Sequence, residues 1–189
     1  MYGGHCNTLG SGNASFIGGG DTNLIYSALG HINCAVIVGG CCNLICDNGS
    51  ATASGSFIGG GANHCLYSQW SFIGGGTLHI ICSDYSSVAG GANNVIGSLS
   101  YAGFIGGGQG NQIACGNNSF IGSGDANGVN GSCSSVAGGC GNTAQNDYSF
   151  VGGGCFNNSG GMFGVIVGGE CNQDIPFQST HNFIGGWLL

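Results

Sequence analysis

The chain reads as an all-β protein, a β-solenoid with short, β-roll-like coils of about 15 residues. Three observations predict this. The phrase Ser15-Phe16-Ile17-Gly18-Gly19-Gly20 returns as Ser56-Phe57-Ile58-Gly59-Gly60-Gly61 and as Ser71-Phe72-Ile73-Gly74-Gly75-Gly76, and variants run almost to the C-terminus. Gly supplies 44 of 189 residues, and each costs a helix about 1 kcal/mol relative to Ala, so helix is excluded. Aromatic and β-branched residues recur at fixed phase although charged residues are only 4% of the chain, which excludes disorder.

The Ile or Val before each Gly run marks the phase. It falls at Ile17, Ile37, Ile58, Ile73, Val88, Ile105, Ile121, Val136, Val151, Ile166 and Ile184, and 15 is the commonest spacing. Gly3-Gly4-His5-Cys6-Asn7 reads as the tail of one further, incomplete coil. Residues 1–189 are therefore expected to form a single repeat domain of about eleven coils. Stacked about 4.8 Å apart, eleven coils make a rod on the order of 50 Å long. Collagen is excluded, since Pro176 is the only Pro and Gly does not recur at every third residue.

Each coil carries two extended pieces, Ser-Phe-Ile-Gly and Asn-x-Ile, joined by Gly-rich corners. So short a coil suits a flattened roll better than a large three-sided helix. In the first piece, neighbouring residues point to opposite faces, so an interior marker puts the preceding residue outside. That outer row is Phe16, Val36, Phe57, Phe72, Ser87, Phe104, Phe120, Ser135, Phe150, Val165 and Phe183. An apolar stripe of that length on a monomer is an aggregation site. Phe16, Phe57, Phe72, Phe104, Phe120, Phe150 and Phe183 are therefore expected to form the interface of a homo-oligomer, closed around an axis parallel to the rod.

The second piece begins at Asn7, Asn23, Asn43, Asn94, Asn111, Asn127, Asn142, Asn157 and Asn172. In-register Asn at a corner predicts a structural amide ladder. Insertions near residues 26–34, 46–54 and 174–179 lengthen three coils and are expected to form loops on one face.

Composition narrows the partners. Lys and Arg are absent and the formal net charge is −7, so neither nucleic acid nor an anionic membrane surface is an expected partner. No apolar run reaches the ~20 residues of a membrane helix, and the first residues lack the pattern of a signal peptide. Neither catalysis nor a cofactor is expected. The acids Asp21, Asp125 and Glu170 share one corner and Asp47, Asp84 and Asp147 another, dispersed rather than paired, and read as solvated corner charges. The Gly runs lack the Lys and the helix of a phosphate loop.

His64 and His79 stand where Asn is expected in adjacent coils. They read as imidazoles replacing amides in the ladder; the alternative is a transition-metal pair. The twelve Cys cluster at corners, with Cys41, Cys140 and Cys155 four residues after the marker and Cys6, Cys42 and Cys171 five after it. They read as small corner fillers, and the disulfide state is left open. One period separates Cys140 from Cys155, inside the Cα window of a disulfide. Five Asn-x-Ser triplets, at Asn13, Asn48, Asn117, Asn130 and Asn157, read as chance in a chain this rich in Asn, Gly and Ser.

The repeat Ser-Phe-Ile-Gly-Gly-Gly-x-x-Asn-x-Ile-x-Gly resembles the head repeats of YadA-like trimeric adhesins. It is more similar still to the Gly/Asn-rich solenoid segments of phage tail fibres and of repeat proteins from large DNA viruses. The resemblance covers nearly the whole chain and implies a homotrimeric rod on a virion or an extracellular surface. It also implies a surface for a host receptor or glycan. The Cys content, the absence of Lys and the Gly triplets depart from it, and no anchor or coiled-coil stalk of an autotransporter is seen. The expected function is thus a structural fibre or adhesin segment. The alternatives are an ice-binding solenoid, whose regular Thr array is missing here, and a polysaccharide-binding or depolymerising tail-spike segment.

Overall fold

The computed structural model describes residues 4–10, 13–28, 30, 32–47, 53–174 and 181–185. The described residues form an all-β solenoid with two parallel sheets of eleven strands each and no helix. One sheet is built from the phase-marker strands, such as Phe16–Ile17, Phe72–Ile73 and Phe150–Val151. The other is built from the strands that follow the Asn position, such as Leu24–Tyr26, Ile80–Ile81 and Val95–Ile96. Each strand pairs with its counterparts in the neighbouring coils, so the register is fixed by the repeat: Phe57↔Phe72, Ile58↔Ile73 in one sheet and Cys65↔Ile80, Leu66↔Ile81 in the other.

The strands are two or three residues long because Gly and left-handed corners interrupt the chain after each. Strands so short hold because each, apart from those at the two ends of the sheets, is paired on both sides. In the marker sheet Phe72 N–H donates to Ser86 O at 2.9 Å and Gly74 N–H to Val88 O at 3.0 Å.

A third line of pairing, one residue wide, lies between the sheets. It runs through His5, Asp21, Cys41, Ala62, Thr77, Ala92, Gln109, Asp125, Cys140, Cys155 and Glu170. Two strands per coil and a flattened roll were the sequence expectation; this third ladder adds a paired corner. Thr77 N–H donates forward to Gly91 O at 3.0 Å, and Leu78 N–H donates back to Ala62 O at 2.9 Å.

The core is two facing rows. One is the phase-marker row, fully buried from Ile37 to Ile166. The other is Ile25, Ile45, Leu66, Ile81, Ile96, Ile113, Val129 and Ala144, continued by the buried Ser159 and Asp174. The second row thus shrinks and turns polar towards the C-terminus. The three insertions all fall in the connection from the Asn sheet to the marker sheet, after Tyr26, Cys46 and Asp174. Residues 29, 31, 48–52 and 175–179 of those insertions lie outside the described residues.

Candidate functional site: an outer Phe face over a polar ladder

The outer row of the marker sheet is a long uncharged surface. Phe16, Phe72, Phe104, Phe120 and Phe150 are each 40–43% exposed, Phe183 is more open, and Phe57 is half-buried. The rings stack where two Phe are neighbours: Phe57 on Phe72 at 5.4 Å and Phe104 on Phe120 at 5.6 Å between centroids, both nearly parallel.

Two neighbours account for the Gly after the marker: the carbonyl of the next coil, which a β-carbon would approach to 2.3 Å at both Gly74 (Ala89 O) and Gly18 (Val38 O), and the ring of the same strand. A β-carbon at Gly74 would sit 3.3 Å from Cε1 of Phe72, and one at Gly18 would sit 3.1 Å from Cε1 of Phe16. The ring therefore leans along its strand and covers the next outward position. The partner residue follows ring size throughout. Phe faces Gly in all seven Phe coils, Val36 and Val165 face Val38 and Val167, and Ser87 and Ser135 face Ala89 and Ala137. Large beside nothing, medium beside medium, small beside small: the volumes are traded within each coil, which levels the face.

At the corner that leads into the other sheet, the Asn residues form a buried ladder. Asn23, Asn43, Asn94, Asn111, Asn142 and Asn157 have no exposure, and Asn127 and Asn172 almost none. Up to Asn157, each Oδ1 accepts the backbone N–H of the ladder residue in the next coil, as Asn127 Oδ1 does from Asn142 N at 3.0 Å. The amide nitrogen donates to carbonyls of its own coil and the next: Asn142 Nδ2 reaches Gly138 O and Gly154 O, both at 2.9 Å. At several steps it also reaches the amide before it, as Asn172 Nδ2 does to Asn157 Oδ1 at 3.0 Å. Asn157 is thus sealed inside the coil, which removes it as a glycan acceptor.

His64 and His79 occupy the same ladder. Both are fully buried and their rings stack at 4.9 Å. His64 Nδ1 accepts from His79 N and His79 Nδ1 from Asn94 N, each at 3.2 Å. A neutral ring that accepts at Nδ1 carries its proton on Nε2, so no lone pair is left for a metal. Each Nε2 is buried without a hydrogen-bond partner, and that of His64 lies near the carbonyls of Gly60 and Gly76 but outside hydrogen-bonding geometry. Desolvation, and next the neighbouring His79, lowers the His64 pKa to about 4; desolvation lowers that of His79 too.

A second polar ladder was not read from the sequence. The Ser two residues before the marker is buried, and its hydroxyl bridges coils: Ser71 Oγ donates to Ser83 O at 3.1 Å and accepts from Ser86 N at 3.2 Å. Its signal was the recurrent Ser of the repeat phrase.

The acids are more engaged than solvated corners would be. Asp84 accepts from Gln69 N and Gln69 Nε2, both at 3.1 Å, and Asp147 from Ser132 N at 2.7 Å. Asp47 binds the Ser27 hydroxyl. These carboxylates tie one coil to the previous one at the corner. Asp174 is buried and accepts from Gly161 N at 3.0 Å and from the Asn182 amide. Asp21 fits the solvated reading better; it accepts from Thr22 Oγ1 at 3.0 Å and lies 3.4 Å from His5 Nδ1. The twelve Cys are all free thiols.

No protein-family model matches the chain, and no curated protein matches it.

Proposed function

We propose that the chain is a structural rod, a fibre or adhesin segment of a virion or surface appendage, which assembles with copies of itself through the Phe face. The observation that supports this is the levelled, uncharged Phe row running the length of the marker sheet. Parallel sheets are ordinarily covered on both faces, and a row of side chains carried by strands about 4.8 Å apart fits best against another row of the same repeat. About two fifths of each ring remains exposed, so covering it stabilises by roughly 1 kcal/mol per Phe. Seven Phe give several kcal/mol, comparable with the low end of the cost of association, ~4–15 kcal/mol. Assembly therefore needs most of the stripe, not one or two rings.

The stripe is narrow, two outward positions per coil, which suits several stripes meeting at a common axis parallel to the rod better than a broad two-chain face. Threefold closure is the arrangement that the adhesin and tail-fibre resemblance implies. A host-surface receptor or glycan is the partner implied for the exposed remainder. The test is sedimentation equilibrium of the unmodified chain and of Phe72→Asp/Phe120→Asp. The unmodified chain is expected as a single closed oligomer, a trimer, and the variant as dissociated chains. A soluble folded monomer for the unmodified chain overturns the reading.

A further inference from the structure

We propose that Cys140 and Cys155 are a redox modification site, which closes into a disulfide joining the two coils marked by Val136 and Val151. The two residues are direct partners in the one-residue corner ladder. In-register residues of neighbouring parallel strands have Cα atoms about 4.8 Å apart, inside the range a disulfide spans. Their backbones are held in that register from both sides. Cys140 N–H donates to Gly154 O at 3.0 Å, Cys155 N–H to Gly169 O at 2.9 Å, and Phe156 N–H back to Cys140 O at 2.9 Å. Both side chains are partly exposed, so a small reagent can reach them. Desolvation, and next the Cys140 thiol, raise the Cys155 pKa, which agrees with two thiols side by side.

Among the described ladder and strand positions no other Cys has a Cys in register. Cys41 lies between Asp21 and Ala62, and Cys65 between Leu44 and Ile80. The Sγ atoms of Cys41 and Cys42 are 3.2 Å apart, but their backbones are tied in opposite directions, Cys41 N–H to Gly61 O and Cys42 N–H to Asp21 O. Closing the small ring of a vicinal disulfide strains the planar peptide between them and pulls on both ties.

The oxidant is a low-molecular-weight disulfide such as oxidised glutathione. One Cys loses its proton to solvent and attacks a sulfur of the small disulfide, forming a mixed disulfide and expelling one thiolate. The second Cys, deprotonated in turn, attacks the protein sulfur of that mixed disulfide and expels the other half. The S–S bond of the reagent is broken and the Cys140–Cys155 bond is formed. The two protein sulfurs give up two electrons, and the two released thiolates take up the two protons.

The experiment treats the native full chain with oxidised glutathione, alkylates remaining thiols, digests with pepsin at low pH and maps unreduced peptides by mass spectrometry. The expected result is one linked peptide pair, Cys140 with Cys155, and alkylation at the other ten Cys. Cys140→Ala and Cys155→Ala should each abolish that link. Ala already occupies this ladder position at Ala62 and Ala92, so both variants should keep the coil, which circular dichroism checks. Alkylation or glutathione adducts at both positions, or a link from Cys155 to Cys171, overturns the proposal.

Discussion

At the residue scale, the coil depends on three backbone positions with φ > 0 that differ in what they tolerate. The last Gly of each run has φ between 83° and 108°, and a β-carbon there would lie 2.0 to 2.3 Å from the carbonyl oxygen of the next coil. The other two positions lie near φ 55°, where side chains are admitted at a cost of about 1–2 kcal/mol. They are occupied by residues such as Thr22, Leu78 and Ala126 at one corner and Trp70, Tyr85 and Phe163 at the other. Gly124→Ala is therefore expected to destabilise by more than about 2 kcal/mol, whereas Ala126→Gly is expected to be neutral or stabilising by up to about 1 kcal/mol. Chemical denaturation of the two variants checks the contrast; equal effects would show that the corners are not distinct.

The histidine pair belongs to the same scale. The His64 pKa is lowered from 6.5 to about 4 by folding, so the unfolded chain binds the proton more tightly. Stability is fully present above pH 6.5, declines as pH falls, and is lost by about pH 4. The loss from His64 is at most about 3 kcal/mol, and His79 adds in the same direction. A proton added to the neutral ring goes to Nδ1, so it removes a ladder bond as well as charging a buried group. His64→Asn/His79→Asn is expected to fold and to flatten the stability profile between pH 6.5 and 4. An unchanged acid transition would place the sensitivity elsewhere, in the carboxylates that bind backbone N–H groups.

At the element scale, the strand is a matched pair of outward positions around one inward marker. Gly74→Val alone should displace the Phe72 ring and press on the carbonyl of Ala89, which a β-carbon at Gly74 would approach to 2.3 Å. Adding Phe72→Val recreates the Val-Ile-Val arrangement of Val36–Val38 and Val165–Val167. The double variant is expected to recover part of the loss, with a coupling energy of about 1 kcal/mol in a double-mutant cycle. Additive effects would show that the Phe–Gly pairing is not a packing rule. The Asn and Ser ladders act on the same element from below: they pin both ends of each short strand to the next coil, so two residues suffice where an isolated strand would not hold.

At the scale of the whole molecule, every coil touches only its neighbours, so stability is a sum of coil and interface terms. Rods of this kind open from weak coils. The lengthened connections are the expected points of attack, and a nonspecific protease should leave a resistant fragment close to residues 53–174. Cleavage should concentrate near residues 47–52 and 174–179. Rapid cutting through Gly106–Gly108, read by mass spectrometry of early fragments, would mean that the inter-coil bonds do not protect the backbone.

Much of this was legible in the sequence because a solenoid repeats its environment. A residue that recurs at one phase meets the same neighbours each time, so the marker row could be placed inside, the Phe row outside and the Asn row at a corner. The period also put Cys140 beside Cys155 and His64 beside His79. Tertiary structure alone decided what depends on the path of the chain between those points. Which corners are left-handed could not be read, because Thr22, Leu78 and Tyr85 carry no preference for φ > 0 and are held there by bonds to adjacent coils. The burial of the Ser hydroxyls and of Asp174 was hidden for a related reason. Burying a polar group costs least when its donors and acceptors are met, and for Ser71 and Asp174 partners such as the Ser86 and Gly161 N–H groups lie in the neighbouring coil, set by the stacking rather than by the local sequence.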